Sequence, residues 1–398
     1  MISREQAAQR FEQLGWPTTQ WEEWRYTNVA PIAKTSWRLE DGRARLTHEA
    51  PILRTAVAEL VFVNGYLVEK RGAVLPLSEA ATHPAVERHF AKYADYQRHP
   101  FTALNTANAQ DGAFIEIPDG KVIDGFIHIL FVGDGDGVWS HPRNLVVAGR
   151  GSQIAVVETY VGSGAYFTNA VTEIVAGDGA VVDHYKIECE SLNASHIATV
   201  QIHQERSSSV TSHQIALGGG LVRNEVNVAL AGEGASLTLD GLFVLRGNQH
   251  VDNHTVIDHV KPHCDSLELY KGILDDRSRG IFDGRIIVRE GAQKTNSRQI
   301  NHNLLLSETA IVDSKPTLEI LNDDVKCNHG STIGQLNDEA LFYMRSRGID
   351  EADARRLLVY AFAAEIVERM KIEAVKEQVR KAMFGAIPGH IERRGETR

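Results

Sequence analysis

Cysteine is scarce in this chain of 398 residues, which contains only Cys189, Cys264 and Cys327. These cysteines lie dozens of residues apart and form no Cys-x-x-Cys pair. That spacing excludes a zinc ribbon and a self-sufficient cage for a metal cluster. A low, odd count is also typical of a reducing compartment, where disulfides do not persist.

Long apolar runs are missing too. No stretch approaches the roughly 20 apolar residues that a membrane-spanning helix needs. The N-terminal run Met-Ile-Ser-Arg-Glu-Gln has acidic and polar residues where a secretory signal has its apolar segment, so we expect a cytoplasmic protein. The formal net charge of -10 disfavours nucleic acid, because binding phosphates requires a basic face. The sequence therefore predicts no membrane and no nucleic acid as partners.

Three common catalytic signatures are absent as well. The sequence has no Gly-x4-Gly-Lys-Ser/Thr loop, so we do not expect it to hydrolyse ATP. It also has no Gly-x-Ser-x-Gly elbow and no His-Glu-x-x-His metal motif. The glycine clusters at 149–151 and 218–220 lie between strand-like runs, and we interpret them as turns.

The first of three predicted regions, residues 1–111, is rich in helix. Apolar residues recur at helical intervals before Gly15 and again over 84–96. Between them, the strand-like run 58–69 contains Asn-Gly at 64–65, which predicts a small hairpin.

The second region, residues 112–334, predicts a parallel β-helix. Short runs rich in valine, isoleucine and threonine alternate with glycine turns, and one phrase, Ala-Gly-x-Gly, starts at 148, 176 and 231. Its spacings of 28 and 55 residues are close to one and two copies of a fixed period, as in stacked coils. An antiparallel sandwich is the alternative, but it gives no reason for such a period. We expect a mainly β fold, a right-handed parallel β-helix core flanked by N-terminal and C-terminal helical regions.

The third region, residues 335–398, predicts three helices, over 338–347, 350–370 and onwards to 384. In the middle helix one face carries the apolar residues Leu357, Leu358, Phe362, Ile366 and Met370. This face either packs against the β-helix or receives another subunit.

The junction between the second and third regions contains Cys327 and His329. They are two positions apart in a strand-like run, so their side chains share one face. Thiolate and imidazole suit iron, but two ligands cannot complete a cluster that usually takes four. We therefore predict that any metal site here is shared with a second polypeptide. The alternative is a buried thiol beside a polar histidine, with no ligand role.

Two other groups of residues are weaker candidates. The histidines at 250, 254, 259 and 263 are dense enough to suggest a metal site, but their spacing matches no closed motif. A carbohydrate lyase or hydrolase is the rival class, because β-helices can carry acidic clefts. Its residues would be Asp275, Asp276 and Asp283 with Arg277, Arg279 and Arg285. Nothing in the sequence fixes two of these carboxylates at a productive separation.

The run Lys326-Cys327-Asn328-His329-Gly330, followed by Leu341-Phe342-Tyr343 and the turn 345–348, resembles the signature of the SufB and SufD family of iron-sulfur cluster assembly proteins. The run Trp-Arg-Tyr-Thr at 24–27 is similar to one near the start of these chains. SufB chains have Cys-Asp-Ser-Leu-Leu where this chain has Asn-His-Asn-Leu-Leu at 301–305, and glutamate where it has Gly330. The resemblance is therefore closer to the SufD branch.

The resemblance implies a non-catalytic scaffold subunit of iron-sulfur cluster assembly. It implies that the C-terminal coils pair with a SufB-like paralogue as a heterodimer, with His329 at the interface. It also implies that a SufC-like ABC-type ATPase docks on the C-terminal helical domain, 335–398. A nascent cluster would be shared with the partner, with none bound stably by the isolated chain. Whether the chain alone forms a homodimer stays open.

Overall fold

The computed structural model describes residues 4–40, 51 and 53–386. Within them the helices are α1 (Arg4–Leu14), α2 (Ala30–Lys34), α3 (Pro84–His89), α4 (Pro100–Asn108), α5 (Asp338–Ser346), α6 (Glu351–Val367) and α7 (Glu373–Ala386). The strands are β1 (Ala58–Val63), β2 (Tyr66–Arg71), β3 (Leu75–Pro76), β4 (Ala113–Ile117), β5 (Val122–Asp134), β6 (Trp139–Ser140), β7 (Arg143–Ala148), β8 (Gln153–Ser163), β9 (Phe167–Ala176), β10 (Val181–Cys189), β11 (Ser195–Gln204), β12 (Ser209–Ala216), β13 (Leu221–Leu230), β14 (Ser236–Leu245), β15 (His250–His259), β16 (Asp265–Leu274), β17 (Arg279–Val288), β18 (Asn296–Leu305), β19 (Ile311–Ile320) and β20 (Lys326–Gly334).

The strands alternate between two facing sheets that together form a parallel β-solenoid of about eight turns. The first sheet has the order β2-β1-β5-β8-β10-β12-β14-β16-β18-β20, and the second has the order β19-β17-β15-β13-β11-β9-β7-β4-β3. From β7 onwards, consecutive strands of the chain therefore lie in opposite sheets, and strands one coil apart are neighbours. The predicted mainly β solenoid with helical flanks is confirmed, and the sandwich alternative is wrong.

The period of the coils is set by the strand register. Val181 pairs with Ser209, 28 positions further along the chain, whereas Arg279 pairs with Ile311, which is 32 positions further. The sequence period of 28 therefore describes the early coils, and the later coils are a few residues longer in their turns.

The glycine phrase marks the corner of a coil. Its second glycine has a positive φ in each of the three copies, +63° at Gly151, +68° at Gly179 and +70° at Gly234. Residues with a Cβ rarely adopt this conformation, so glycine is favoured there. The run Arg289-Glu290-Gly291-Ala292 is a weaker copy of the phrase, and there Lys294 takes the positive φ, 58°, three positions after Gly291.

The N-terminal hairpin forms as predicted, and β1 also pairs in parallel with β5, which extends the first sheet. The helix expected over 84–96 stops at His89. The backbone N–H groups of Ala91, Tyr93 and Ala94 instead donate to the buried carboxylate of Glu173, at 2.7 to 3.0 Å. This carboxylate competes with the helix for the same donors, a contact that local spacing does not reveal.

Helices α6 and α7 pack on the outer face of the first sheet. The face of α6 that is buried comprises Ala354, Val359, Ala363, Ile366 and Val367, and Met370 follows it. Ile366 and Met370 of the predicted stripe are buried, whereas Leu357 is 50% exposed. The stripe therefore has buried residues that pack against the solenoid and an exposed residue that is available to another subunit. No helix among the described residues is long and apolar enough to cross a membrane. The domain limits at 111 and 334 stay predictions.

Candidate functional site

Strand β20 is the edge of the first sheet and belongs to the last coil of the solenoid. Cys327 pairs with Ser297, and His329 pairs with Gln299 on β18. Cys327 packs against the apolar interior of the solenoid, so these alternate positions face inwards. No further coil covers them, and therefore Cys327 is only half-buried and His329 is exposed.

The Cys327 thiol lies at the margin between the core and the open end. Burial raises its pKa above the ordinary value, and the backbone of Ser297 lowers it in part. The thiol is therefore protonated at neutral pH, and a metal ion would have to displace its proton in order to bind it.

A row of hydroxyl groups continues inwards from Cys327. Ser297 Oγ lies 2.6 Å from Ser266 Oγ, which lies 2.9 Å from His259 Nε2. All three side chains are buried. Burial lowers the pKa of His259 to about 4, so its imidazole is neutral at neutral pH.

A second row continues inwards from His329. Gln299 Nε2 donates to Glu268 Oε2 at 2.6 Å, and both side chains have 0% exposure. Burial raises the pKa of Glu268 to about 7, although the hydrogen bond from Gln299 lowers it in part. The solenoid interior near its open end is therefore polar and contains one carboxyl that titrates near neutrality.

The opposite sheet contributes to the same polar end. Ser314 Oγ on β19 donates to Asn301 Oδ1 at 2.8 Å and lies 2.8 Å from Ser331 Oγ on β20. These contacts join the two sheets in the last coil. We call the inward-facing polar residues of β18, β19 and β20 the polar end; they are Ser297, Gln299, Asn301, Asn303, Ser314, Cys327, His329 and Ser331.

Among the described residues, no group of three His, Cys, Asp or Glu side chains is placed to hold a metal ion. Cys327 and His329 lie together on the inward face of the open end, and their role as metal ligands stays a prediction.

The other sequence candidates are not brought together with this pair. His250 and His254 lie on the outer face of β15, where His250 Nε2 is 2.9 Å from Thr27 Oγ1 and His254 Nε2 is 2.9 Å from Asp252 Oδ1. His259 faces inwards, and His263 lies in a turn with φ 60°.

The acidic residues of the rival enzyme class are also dispersed. Asp275 and Asp276 lie in the turn between β16 and β17. Asp283 is on the outer face of β17, 3.6 Å from Lys315 Nζ.

The N-terminal aromatic segment is fastened to the outer face of the second sheet, a contact that sequence reasoning missed. The Arg223 guanidinium lies 3.9 Å from the ring centroid of Trp24, and Thr27 Oγ1 donates to Asp252 Oδ2 at 2.5 Å. Lys315 of the last coil donates to Glu22 at 3.0 Å. The segment therefore braces the coils next to the polar end.

The C-terminal helices are fastened to the first sheet by ion pairs. Arg369 Nε donates to Asp240 Oδ2 at 2.8 Å, and Lys371 Nζ donates to Asp183 Oδ1 at 2.7 Å. Helix α5, by contrast, has no buried residue, and its Phe342 and Tyr343 are 73% and 58% exposed.

Comparison with known protein families identifies the class of protein to which this fold belongs. Two family models match the chain: the SUF system FeS cluster assembly SufBD core domain over residues 131–362, and the SufBD protein N-terminal region over residues 2–129. The chain belongs to the SufBD family.

Several relatives of this chain are iron-sulfur cluster assembly proteins. The iron-sulfur cluster assembly protein SufD of Escherichia coli is 31% identical over 394 residues, covering 96% of this chain and 93% of the relative. An iron-sulfur cluster assembly SufBD family protein of Synechocystis is 31% identical over 410 residues, with 96% and 89% covered. SufD of Bacillus subtilis is 29% identical over 304 residues, with 74% and 68% covered. These matches do not favour the carbohydrate-enzyme alternative.

Proposed function

We propose that this chain is a non-catalytic scaffold subunit of iron-sulfur cluster assembly. In this proposal the last coils pair with a SufB-like paralogue, and the C-terminal helices receive a SufC-like ABC-type ATPase. One observation carries the proposal: a thiol and an imidazole share the inward face of an uncovered terminal coil. Family membership supports it. The cytoplasmic location expected from the sequence stays a prediction.

The last coil has the features of a surface that another chain covers. Strands β19 and β20 each end a sheet, so each presents unpaired backbone groups. Large apolar side chains are exposed there: Ile320 at 41%, Leu321 at 57% and Ile333 at 53%. A solenoid end of this kind requires a cap or a partner. A partner whose own strands extend the two sheets would cover the polar end as well.

The cargo chemistry follows from the two ligands. A thiolate at Cys327 and a neutral imidazole at His329 suit iron or a nascent iron-sulfur cluster. Four-ligand clusters need further ligands, which the paralogue would supply. We therefore propose a shared cluster as cargo, with none held stably by the isolated chain.

The second docking surface is α5. Its exposed Phe342 and Tyr343 lie on a helix with no buried residue, whereas α6 and α7 are fixed to the solenoid. Exposed aromatic side chains are typical anchors of protein interfaces. We assign this helix, with the exposed face of α6, to the ATPase.

The test uses His329→Ala in cells that depend on this assembly route. We expect the variant protein to fold and to co-purify with both partners, while iron-sulfur enzymes lose activity. His302→Ala is the matched control, because His302 lies on the neighbouring strand, facing outwards and within 2.6 Å of Thr332. Normal cluster maturation with His329→Ala and Cys327→Ala would refute the site. Recovery of neither an ATPase nor a paralogue with the tagged chain would refute the scaffold role.

A further inference from the structure

Three inward-facing side chains, His329, Gln299 and Glu268, form a row across three neighbouring strands of the first sheet. Gln299 pairs with both His329 and, on the other side, Glu268. The three side chains face the same way because they are in register in parallel strands. Adjacent strands lie about 4.8 Å apart, which places His329 about 10 Å from Glu268 with Gln299 between them.

Glu268 fixes the orientation of the Gln299 amide. Burial raises the pKa of Glu268 to about 7, so above that pH the carboxyl is ionised and only accepts hydrogen bonds. The Gln299 amide then turns its nitrogen, not its oxygen, towards Glu268. The observed contact is of this kind, from Nε2 to Oε2 at 2.6 Å. Opposite it, Gly284 leaves the space that the amide uses, because a Cβ at Gly284 would lie 2.4 Å from Gln299 Nε2.

With its nitrogen turned towards Glu268, the Gln299 amide directs its oxygen towards the side of the row on which His329 lies. Gln299 Oε1 is buried and has no hydrogen-bond partner among the described residues. Burying an acceptor without a donor is destabilising. The next residue in register on that side is His329, whose ring can supply an N–H.

We infer that Glu268 and Gln299 are positioning residues that select the ring tautomer of His329, and so decide which of its nitrogens is free to bind cargo. Gln299 Oε1 has no partner in this structure, so the His329 ring turns inwards for its N–H to donate to that oxygen, and the other ring nitrogen then keeps its lone pair towards the open end. Metal-binding histidines commonly have such a partner on their second nitrogen. This inference rests on the proposed ligand role of His329.

The experiment measures the tautomer directly in the isolated full chain. The protein is labelled with ¹⁵N-histidine, and two-bond ¹⁵N–¹H spectra are recorded at pH 8. The signals of His329 are those lost in His329→Ala. We expect the unmodified chain to show one dominant tautomer. Gln299→Met and Glu268→Met should both lose that preference and show the mixture of an exposed histidine.

The control variants distinguish an effect on the His329 tautomer from a general loss of folding. Glu268→Met replaces a buried carboxyl with an apolar side chain of similar size, so it should fold even if Gln299→Met does not. Ser331→Ala removes a polar group of the same strand outside the row and should keep the tautomer. An unchanged tautomer in the folded Glu268 and Gln299 variants overturns the inference, as does its loss in Ser331→Ala.

The two proposals fail separately. The tautomer is measured without partner, metal or cluster, so it tests the row alone. If His329→Ala supports normal cluster maturation, the proposed function fails even where the tautomer behaves as inferred. If maturation is lost but the tautomer does not respond to Glu268 or Gln299, only the present inference fails.

Discussion

Replacing Glu268 with glutamine should stabilise the protein, and increasingly so at higher pH. Burial raises the folded-state pKa of Glu268 from its ordinary 4.5 to about 7. Below pH 4.5 the carboxyl is protonated in both states and costs nothing. Between pH 4.5 and 7 the unfolded chain loses its proton first, so the folded state loses stability as the pH rises. Above pH 7 the penalty is constant, at about 3 kcal/mol.

The glutamine variant carries no charge at any pH, so it escapes this penalty. We expect Glu268→Gln to raise the free energy of unfolding by about 1 kcal/mol at pH 5 and about 3 kcal/mol at pH 8. Urea denaturation followed by circular dichroism at the two pH values measures both figures. The surface substitution Glu308→Gln is the control and should show no such slope. An equal gain at pH 5 and pH 8 would refute the assignment of the penalty to Glu268.

Two further predictions concern the C-terminal helices. Arg369→Ala leaves Asp240, whose pKa burial already raises to about 6, without its partner. It should cost about 2 kcal/mol, less than in a fully buried pair because the Arg369 side chain is 34% exposed. Asp240→Asn in the same chain should restore most of the loss, with hydrogen exchange of α6 and α7 as the measurement. Phe342→Ala with Tyr343→Ala should change stability by less than about 0.5 kcal/mol. It should nevertheless abolish ATPase co-purification, whereas Leu192→Ala, at a 50% exposed residue of the solenoid, should not.

The sequence predicts the solenoid because its signal is repetitive. Each Ala-Gly-x-Gly corner recurs after a whole number of coils, and the second glycine is needed for its positive φ. The hairpin at 64–65 is equally local, since Asn64 and Gly65 take φ values of 50° and 89°. Patterns that a few neighbouring residues determine were predicted correctly.

Contacts between distant parts of the chain were not predicted. The helix expected over 84–96 ends early because Glu173, about 80 positions away, takes its backbone donors. The contacts of Trp24 with Arg223 and of Glu22 with Lys315 join the first 30 residues to a middle coil and to the last coil. No periodicity within either segment reports these pairs.

The candidate site was predicted in part, because it combines a local pattern with contacts between distant residues. Cys327 and His329 are predicted from their own spacing, but Gln299 and Glu268 are not, although they lie one and two coils earlier. Glu268, Gln299 and His329 are separated by 31 and 30 positions, which is the period of the last coils. Aligning the sequence on that longer period would have placed all three in one row. The early period of 28 shifts the row out of register.

The polar end is unfavourable for the stability of the isolated chain. Replacing its buried polar residues with apolar ones would be expected to stabilise an isolated solenoid, because burying Glu268 and leaving Gln299 Oε1 without a donor are both unfavourable. Earlier coils show what such an interior looks like, with Val182, Val210 and Leu237 in successive strands of the same sheet. Further along β10 the interior is polar as well, but there the carboxylate has a basic partner: Lys186 donates to Glu188 and, against the effect of burial, lowers the pKa of Glu188 to about 2. Glu268, by contrast, has the neutral Gln299 as its partner and a raised pKa, and it lies near the end that a partner chain would cover. This unfavourable arrangement is explained if its polar groups act on what binds there, and not on the stability of the free chain.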